Sequence, residues 1–342
     1  MDQKQMQLMI QAGLNQCFGM MNDPTKFYAI LPCSLGDLLM SGGLMHAMPQ
    51  KFGKQSVVLL AHERFSSFEV AFDGVSEIKY LPQLALSAMR EYVNATKQFI
   101  TANYAFGHFR FDDKRNFVWS KELHNSVDRY KHDVYDLPLD TPFRNPIVKD
   151  ISTEAKVRLN REYIIDKNRT VILAPYANSM RLMSPNFWLR LAAELNRRGF
   201  VVYTNVGKSP TGMFEPPLQG TRPINVSLNE IFFLADKLRC FVSFRSGLCD
   251  LLAFANTHLI CLRPQTVDFA DDMKVIFPNT PSRIDTLYFD FEFFPKINAL
   301  LEEHNVSGMQ IGAIKHKAIP DGRVFWNEDA LLAAILRAVE AQ

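Results

Sequence analysis

No stretch of this 342-residue chain approaches the roughly 18 to 20 consecutive apolar residues that a membrane-crossing helix needs. The first residues also lack the basic start and long apolar core of a secretory leader. The five cysteines, Cys17, Cys33, Cys240, Cys249 and Cys261, show neither zinc-site spacing nor that of a redox pair. Three of them lie in or beside apolar runs, where free cysteine packs as a small hydrophobe. An odd count without a disulfide framework points to a reducing compartment, so a cytoplasmic protein is expected. Basic excess is missing as well. The formal charge is +2, and clusters such as Arg197-Arg198 and Lys315-His316-Lys317 are too short for a phosphate-tracking face, which excludes nucleic acid as main partner.

Two motifs are absent too. Neither Gly36 nor Gly42-Gly43 forms the Gly-x-Gly-x-x-Gly that a dinucleotide-dependent oxidoreductase needs after a strand. No Asp-x-Asp follows a strand, since Asp112-Asp113 and Asp271-Asp272 are adjacent pairs, and no two histidines share helical spacing. No metal site and no cofactor are therefore expected.

What is present is a folded, two-part chain. Apolar residues at 47% and charged residues at 22% are ordinary for a globular protein, and the length exceeds one core. Residues 5–21 place Met6, Met9, Ile10, Leu14, Cys17 and Met21 at helical spacing, which predicts a helix packing on the body or on another subunit. A first α/β run then has strands at 27–31, 57–60 and 78–81 and helices at 38–48, 65–72 and 83–102. Residues 104–135 mix aromatics with both charge signs and show no clean period, and a proline-bearing connection follows at 137–149. The second run has strands at 170–174, 200–203, 240–244 and 258–262. Its helices fall at 185–198, 228–238, 247–255 and 328–339. Ser184 is placed to cap the first of these, with Pro185 at its first position and Gly199 past its end. Alternating strands and helices imply parallel sheets, with ligands in a crevice at the carboxyl ends of the strands.

The first strand runs into Pro32-Cys33-Ser34-Leu35-Gly36-Asp37 and a helix. Gly36 allows a close turn, Ser34 can cap the helix, and Asp37 falls in its first turn. Alone, such an acid more often complements the helix dipole than catalyses.

The run from Tyr28 to Pro82, YAILPCSLGDLLMSGGLMHAMPQKFGKQSVVLLAHERFSSFEVAFDGVSEIKYLP, resembles the start of the bacterial ADP-heptose:lipopolysaccharide heptosyltransferase family in motif order and spacing. That resemblance implies a GT-B fold of two Rossmann-like α/β/α domains facing a central cleft. It also implies a glycosyltransferase moving a sugar from a nucleotide-diphosphate sugar to an acceptor hydroxyl, inverting and metal-independent, in polysaccharide or lipopolysaccharide assembly. The family's catalytic base maps to Asp37. A carboxylate suits that task, because an acceptor hydroxyl must lose its proton as it attacks the anomeric carbon.

Two further blocks are similar to the family. Within ILAPYANSMRLMSPNFWLRLAAELNRRGFVVYTNVG, the phosphate-binding lysine of the family falls on Arg181, with Asn178 and Ser179 in the same loop and Gly207 ending the next strand. Within SLNEIFFLADKLRCFVSFRSGLCDLLAFANTHLICLRP, the donor turn reads Arg245-Ser246-Gly247-Leu248-Cys249-Asp250. Ser246 and Gly247 match by role, whereas Arg245 stands in place of an acid and Asp250 in place of a histidine. Arg245 would add positive charge beside a diphosphate. Asp250 would either meet ribose or sugar hydroxyls or orient Arg245 by a salt bridge, and the sequence leaves both open. Ser34, Gly36, His108 and Arg110 are the expected acceptor-side residues.

The resulting expectation divides the chain into residues 1–165 for the acceptor, 166–326 for the nucleotide sugar, and a helix at 327–342 that returns to the N-terminal domain. Expected partners are a nucleotide sugar donor and a glycan or glycolipid acceptor. Peripheral association with the inner face of the plasma membrane, and self-association through the N-terminal helix, accompany this reading. The rival readings are a degenerate, non-catalytic binder of sugar or protein and a nucleotide-sugar epimerase on the same fold.

Overall fold

The structure is a computed structural model describing residues 3–32, 34–108, 110–111, 117–118, 125–176, 183–207, 214–264, 277, 279–289, 324–325 and 327–341. The chain divides into two compact units, Met1–Lys149 and Asp150–Gln342.

The first unit contains, in chain order, α1 (Gln3–Met20), β1 (Lys26–Leu31), α2 (Leu35–Gly42), α3 (Met48–Phe52), β2 (Ser56–His62), β3 (Val70–Ala71) and β4 (Val75–Leu81). Then come α4 (Gln83–Thr96), β5 (Tyr104–Phe106), β6 (Arg110–Phe111), β7 (Phe117–Val118), α5 (Ser126–Arg129) and β8 (Ile147–Val148). Four parallel strands form its sheet in the order β4-β2-β1-β5. β1 and β2 are buried almost end to end, as strands covered on both faces must be. Tyr28, Ile30, Val58 and Leu60 meet Leu86, Met89 and Val93 of α4 in the core. The second half of α1 packs on this body. Cys17 joins the core, and a Cβ at Gly13 would come within 2.9 Å of the Ala88 Cβ. Met6, Leu8 and Met9, nearer the start of α1, stay exposed.

Two expected helices are replaced by other structure, and a third, at 83–102, ends at Thr96. Residues 38–48 do not form one helix: α2 ends at Gly42, and the chain restarts as α3 after a 3-10 turn. Residues 65–72 are not helical beyond a 3-10 turn at Glu63–Phe65. Phe68, Val70 and Phe72 are buried while Glu69 and Ala71 are exposed, which is a period of two, and β3 pairs antiparallel with β8.

The second unit contains α6 (Thr153–Glu162), β9 (Thr170–Ala174), α7 (Pro185–Arg197), β10 (Val201–Asn205), β11 (Arg222–Ile224), α8 (Leu228–Ala235) and β12 (Cys240–Phe244). It continues with α9 (Gly247–Leu252), β13 (His258–Pro264), β14 (Arg283–Phe289), β15 (Val324–Phe325) and α10 (Glu328–Glu340). Its parallel sheet runs β11-β10-β9-β12-β13-β14-β15. The α7 signals act as read: Ser184 Oγ accepts from the Phe187 N–H at 3.1 Å, and Gly199 takes φ 81°.

The division falls after Lys149 rather than after residue 165, because α6 attaches to the second unit. Arg158 there pairs with Glu230 of α8, and the Lys156 ammonium lies 5.3 Å from the Phe233 ring centroid. The last helix, α10, packs in the second unit's core: Leu331, Ile335, Leu336 and Val339 pack with Leu191 and Leu195 of α7. Arg239 donates to its last carbonyls, Val339 O at 2.8 Å and Glu340 O at 2.9 Å, capping an otherwise unsatisfied end.

The two sheets share one logic. In each, the chain lays its first strand at the centre, moves outward for the second and third, then returns beside the first for the fourth. The crevice where strand order reverses lies between β1 and β5 in the first unit and between β9 and β12 in the second, and ligands of such sheets bind outside the carboxyl ends there. Among the described residues, no helix is long and apolar enough to cross a membrane.

Candidate functional site

At the first reversal point, β1 ends and α2 begins within three residues. Ser34 is the N-cap, in extended backbone at φ −77° and ψ 173°, and Asp37 is the third helical residue. Its Oδ2 accepts from the Ser34 N–H at 2.8 Å and from the Ser34 hydroxyl at 2.6 Å. This is the returning arm of a capping box, with Asp in place of the usual Glu. Gly36 is buried within the first turn, Asp37 half-buried and Ser34 exposed.

Asp37 has another partner that sequence reasoning missed. The Tyr130 hydroxyl donates to its Oδ1 across 93 positions of sequence. Tyr130 is only 1% exposed and opens a π-helical turn, Tyr130–Val134, that continues α5. A signal existed: Val127, Tyr130 and Val134 fall at helical spacing and are all buried, behind Asn125, whose Oδ1 accepts from the Asp128 N–H at 2.7 Å.

The segment that carries Tyr130 is fastened at several points. The Lys131 ammonium reaches Asp128 Oδ1 at 3.1 Å and Leu139 O at 2.7 Å. Lys51 of α3 donates to Tyr135 O at 3.1 Å and to both the carbonyl and the carboxylate of Asp136, a residue held at φ 50°. Tyr135 closes against the end of β5, where a Cβ on Gly107 would stand 2.4 Å from its hydroxyl oxygen and from Leu31 Cδ2, so any larger residue there would have to displace them. His108 follows Gly107 and is half-buried, at the same reversal point as Asp37. The backbone of Arg110 lies in β6, and its side chain is outside the described residues. His46, on the turn between α2 and α3, is a packing residue. A Cβ on Gly74 would meet its Cα at 2.5 Å, and burial, helped by the Arg144 charge, lowers its pKa below the ordinary imidazole value.

At the second reversal point, Asn178, Ser179 and Arg181 of the loop after β9 lie outside the described residues. The turn after β12 is described. Arg245 N–H donates to Leu262 O at 2.9 Å, continuing the ladder with β13 beyond the strand end. Its guanidinium lies 3.2 Å from Asp250 Oδ1, with side-chain exposures of 15% and 2%. Of the two readings left open for Asp250, the salt bridge is the one found.

Ser246 caps α9 with its backbone alone, and Ser246 and Gly247 are half-buried at the strand-to-helix turn. Beneath them Cys249 donates to Phe244 O at 3.0 Å, while a hydrogen bond with Cys249 and burial push the Cys261 thiol well above its ordinary value. Burial takes Cys17 up to about 12, and Cys240 likewise despite the opposing charges of Arg239 and Arg283. These thiols pack as hydrophobes, in line with the sequence reading. Gly207 follows β10, its carbonyl accepts from Glu215 N–H at 2.9 Å, and the nearest atom to a Cβ there would be Glu215 Oε2 at 3.8 Å. Among the described residues, nothing in the packing demands a glycine at that place.

The first unit thus offers an oriented carboxylate at its reversal point, and the second a guanidinium beside a helix start at its own. An oriented carboxylate can take a proton, and a guanidinium near exposed backbone N–H groups can hold an anion.

Two doubly wound units in one chain are the GT-B fold, and solved structures bear this out. The crystal structure of the glycosyl transferase family 9 from Veillonella parvula DSM 2008 superposes with a TM-score of 0.55, covering 92% of this chain and 96% of that one at 9% identity. The structure of E. coli ADP-heptose lps heptosyltransferase II gives a TM-score of 0.50, covering 82% and 99% at 16% identity. No family model matches the sequence, and no curated protein matches it either.

Proposed function

We propose that the chain is a glycosyltransferase that moves a hexosyl or heptosyl group from a nucleoside diphosphate to an acceptor hydroxyl, with inversion and without a metal. The observation that carries this reading is the Asp37 carboxylate. It stands at a sheet's reversal point, is held by three donors, and has no cation paired with it among the described residues. In the step proposed, Asp37 takes the acceptor's hydroxyl proton as that oxygen attacks the anomeric carbon. The bond from that carbon to the diphosphate breaks, and its electron pair leaves on the diphosphate oxygen. Arg181, Arg245 and the N–H groups at the start of α9 are the groups proposed to balance the charge that develops there. The name of one solved neighbour, an ADP-heptose lps heptosyltransferase, supports a sugar nucleotide as donor; the acceptor proposed with it is a glycan or glycolipid, in polysaccharide or lipopolysaccharide assembly at the inner face of the membrane.

Thermal unfolding with ADP, UDP, GDP and CMP tests the reading. At a hundredfold excess over Kd, a bound nucleotide adds about 2.7 kcal/mol, or roughly 5 to 10 °C in Tm for a domain of this size. One nucleotide is expected to stabilise selectively and so to name the donor. Failure of all four would sink the donor site. It would favour the second reading, a binder without turnover, for which the capping-box geometry of Asp37 is the supporting observation.

A further inference from the structure

We infer that Tyr130 is the positioning residue of the Asp37 carboxylate, selecting the one lone pair that remains open to a substrate hydroxyl. The inference rests on the proposed transferase reading and adds to it a residue that the strand-helix pattern does not contain. An ionised carboxylate has roughly four acceptor positions. On Asp37, Ser34 N–H and Ser34 Oγ–H occupy the two on Oδ2, and the Tyr130 hydroxyl occupies one on Oδ1. No other donor among the described residues reaches Asp37, so a single position on Oδ1 is left.

Ser34 alone would fix one oxygen and leave the carboxylate free to rock about that attachment. The second oxygen is set by Tyr130, whose ring is buried and therefore cannot follow the carboxylate into solvent. Its backbone is held from both sides: Asn125 and Lys131 brace the helical turn, and Lys51 holds the carbonyls that follow it. Such bracing is what a positioned base requires, since a displacement of about 1 Å at a reacting group costs on the order of a hundredfold in rate. A capping acid without chemical work needs only the Ser34 arm, which closes the helix start by itself. The buried tyrosine on Oδ1 is the part that capping does not explain.

The test combines two readouts on the full chain. With selectively labelled tyrosine, the Tyr130 hydroxyl proton is expected as a slowly exchanging, downfield NMR signal, absent in Tyr130→Phe and displaced in Asp37→Asn. Kinetics then follow nucleotide release from ADP-, UDP- and GDP-sugars with lipopolysaccharide core glycan supplied as the acceptor. Tyr130→Phe is expected to lower kcat roughly 10- to 100-fold with KM within about twofold. Tyr203→Phe, which also deletes a buried tyrosine hydroxyl bonded to backbone, serves as the control for a merely structural loss and should leave kcat unchanged. If the hydroxyl signal is present but Tyr130→Phe retains full kcat, Tyr130 has no positioning role and the transferase reading survives. If the wild-type chain turns over no donor while the signal is present, the transferase reading falls and takes this role with it. A missing hydroxyl signal in the wild type overturns the Tyr130–Asp37 bond itself.

Discussion

The turn after β1 and the turn after β12 are built alike, yet they treat their acids in opposite ways. Each follows a fully buried strand at a reversal point, and each places an aspartate in the first turn of the next helix, Asp37 in α2 and Asp250 in α9. Asp37 is half-buried, and its partners are two hydroxyls and an N–H, which orient the charge without cancelling it. Asp250 is 2% exposed and faces the Arg245 guanidinium, so its charge is consumed inside the protein. The comparison teaches that an acid at a helix start is a candidate base only where its tertiary neighbours are neutral. Where the neighbour is a cation, as for Asp250 beside Arg245, the carboxylate is tied to that partner.

Four substitutions probe that contrast. The largest effect belongs to Asp37→Ala, expected to lower turnover about a thousandfold or more, within the range for loss of a general base, with nucleotide affinity unchanged by calorimetry. Full turnover would leave Asp37 as a cap and make the two turns equivalent. Next, Asp250→Ala leaves a guanidinium buried without its carboxylate and should cost about 3 kcal/mol of stability in urea unfolding. A loss below about 1 kcal/mol would mean that the pair behaves like a solvated surface bridge. Third, Arg181→Ala should weaken binding of the stabilising nucleotide by about 1.5 to 3 kcal/mol, as loss of a charge-assisted hydrogen bond does. An unchanged Kd would leave Arg245 to hold the anion alone. Smallest is Ser34→Ala, which removes one of the three donors and should cost about 1 kcal/mol of stability, the usual weight of an N-cap serine. No measurable loss would show that Tyr130 holds the carboxylate by itself.

Much of this was legible in the chain, for reasons that can be named. β1, β2, β9 and β12 are continuous apolar runs because both faces of a parallel sheet are covered, and that pattern needs no tertiary information. Ser184, Pro185 and Gly199 mark α7 because capping is local chemistry. The 65–72 helix was misread because Phe65, Phe68 and Phe72 also satisfy a 3.6 period, and only the pairing of β3 with β8 decides for a period of two. The placement of α10 is not legible for a related reason: its apolar stripe shows that it is covered, not by what.

By itself, the sequence determined two α/β units, the two strand-to-helix turns, and Asp37 as the acid that any reading must explain. Those are consequences of hydrophobic period and turn residues, which act over a few positions. Tertiary structure alone decided that Tyr130 completes the Asp37 site, whereas the pairing of Asp250 with Arg245, five residues away, was one of two readings already legible in the sequence. The Tyr130–Asp37 bond joins a hydroxyl and a carboxylate through a sheet's strand order, and sequence periodicity contains no term for partners 93 residues apart.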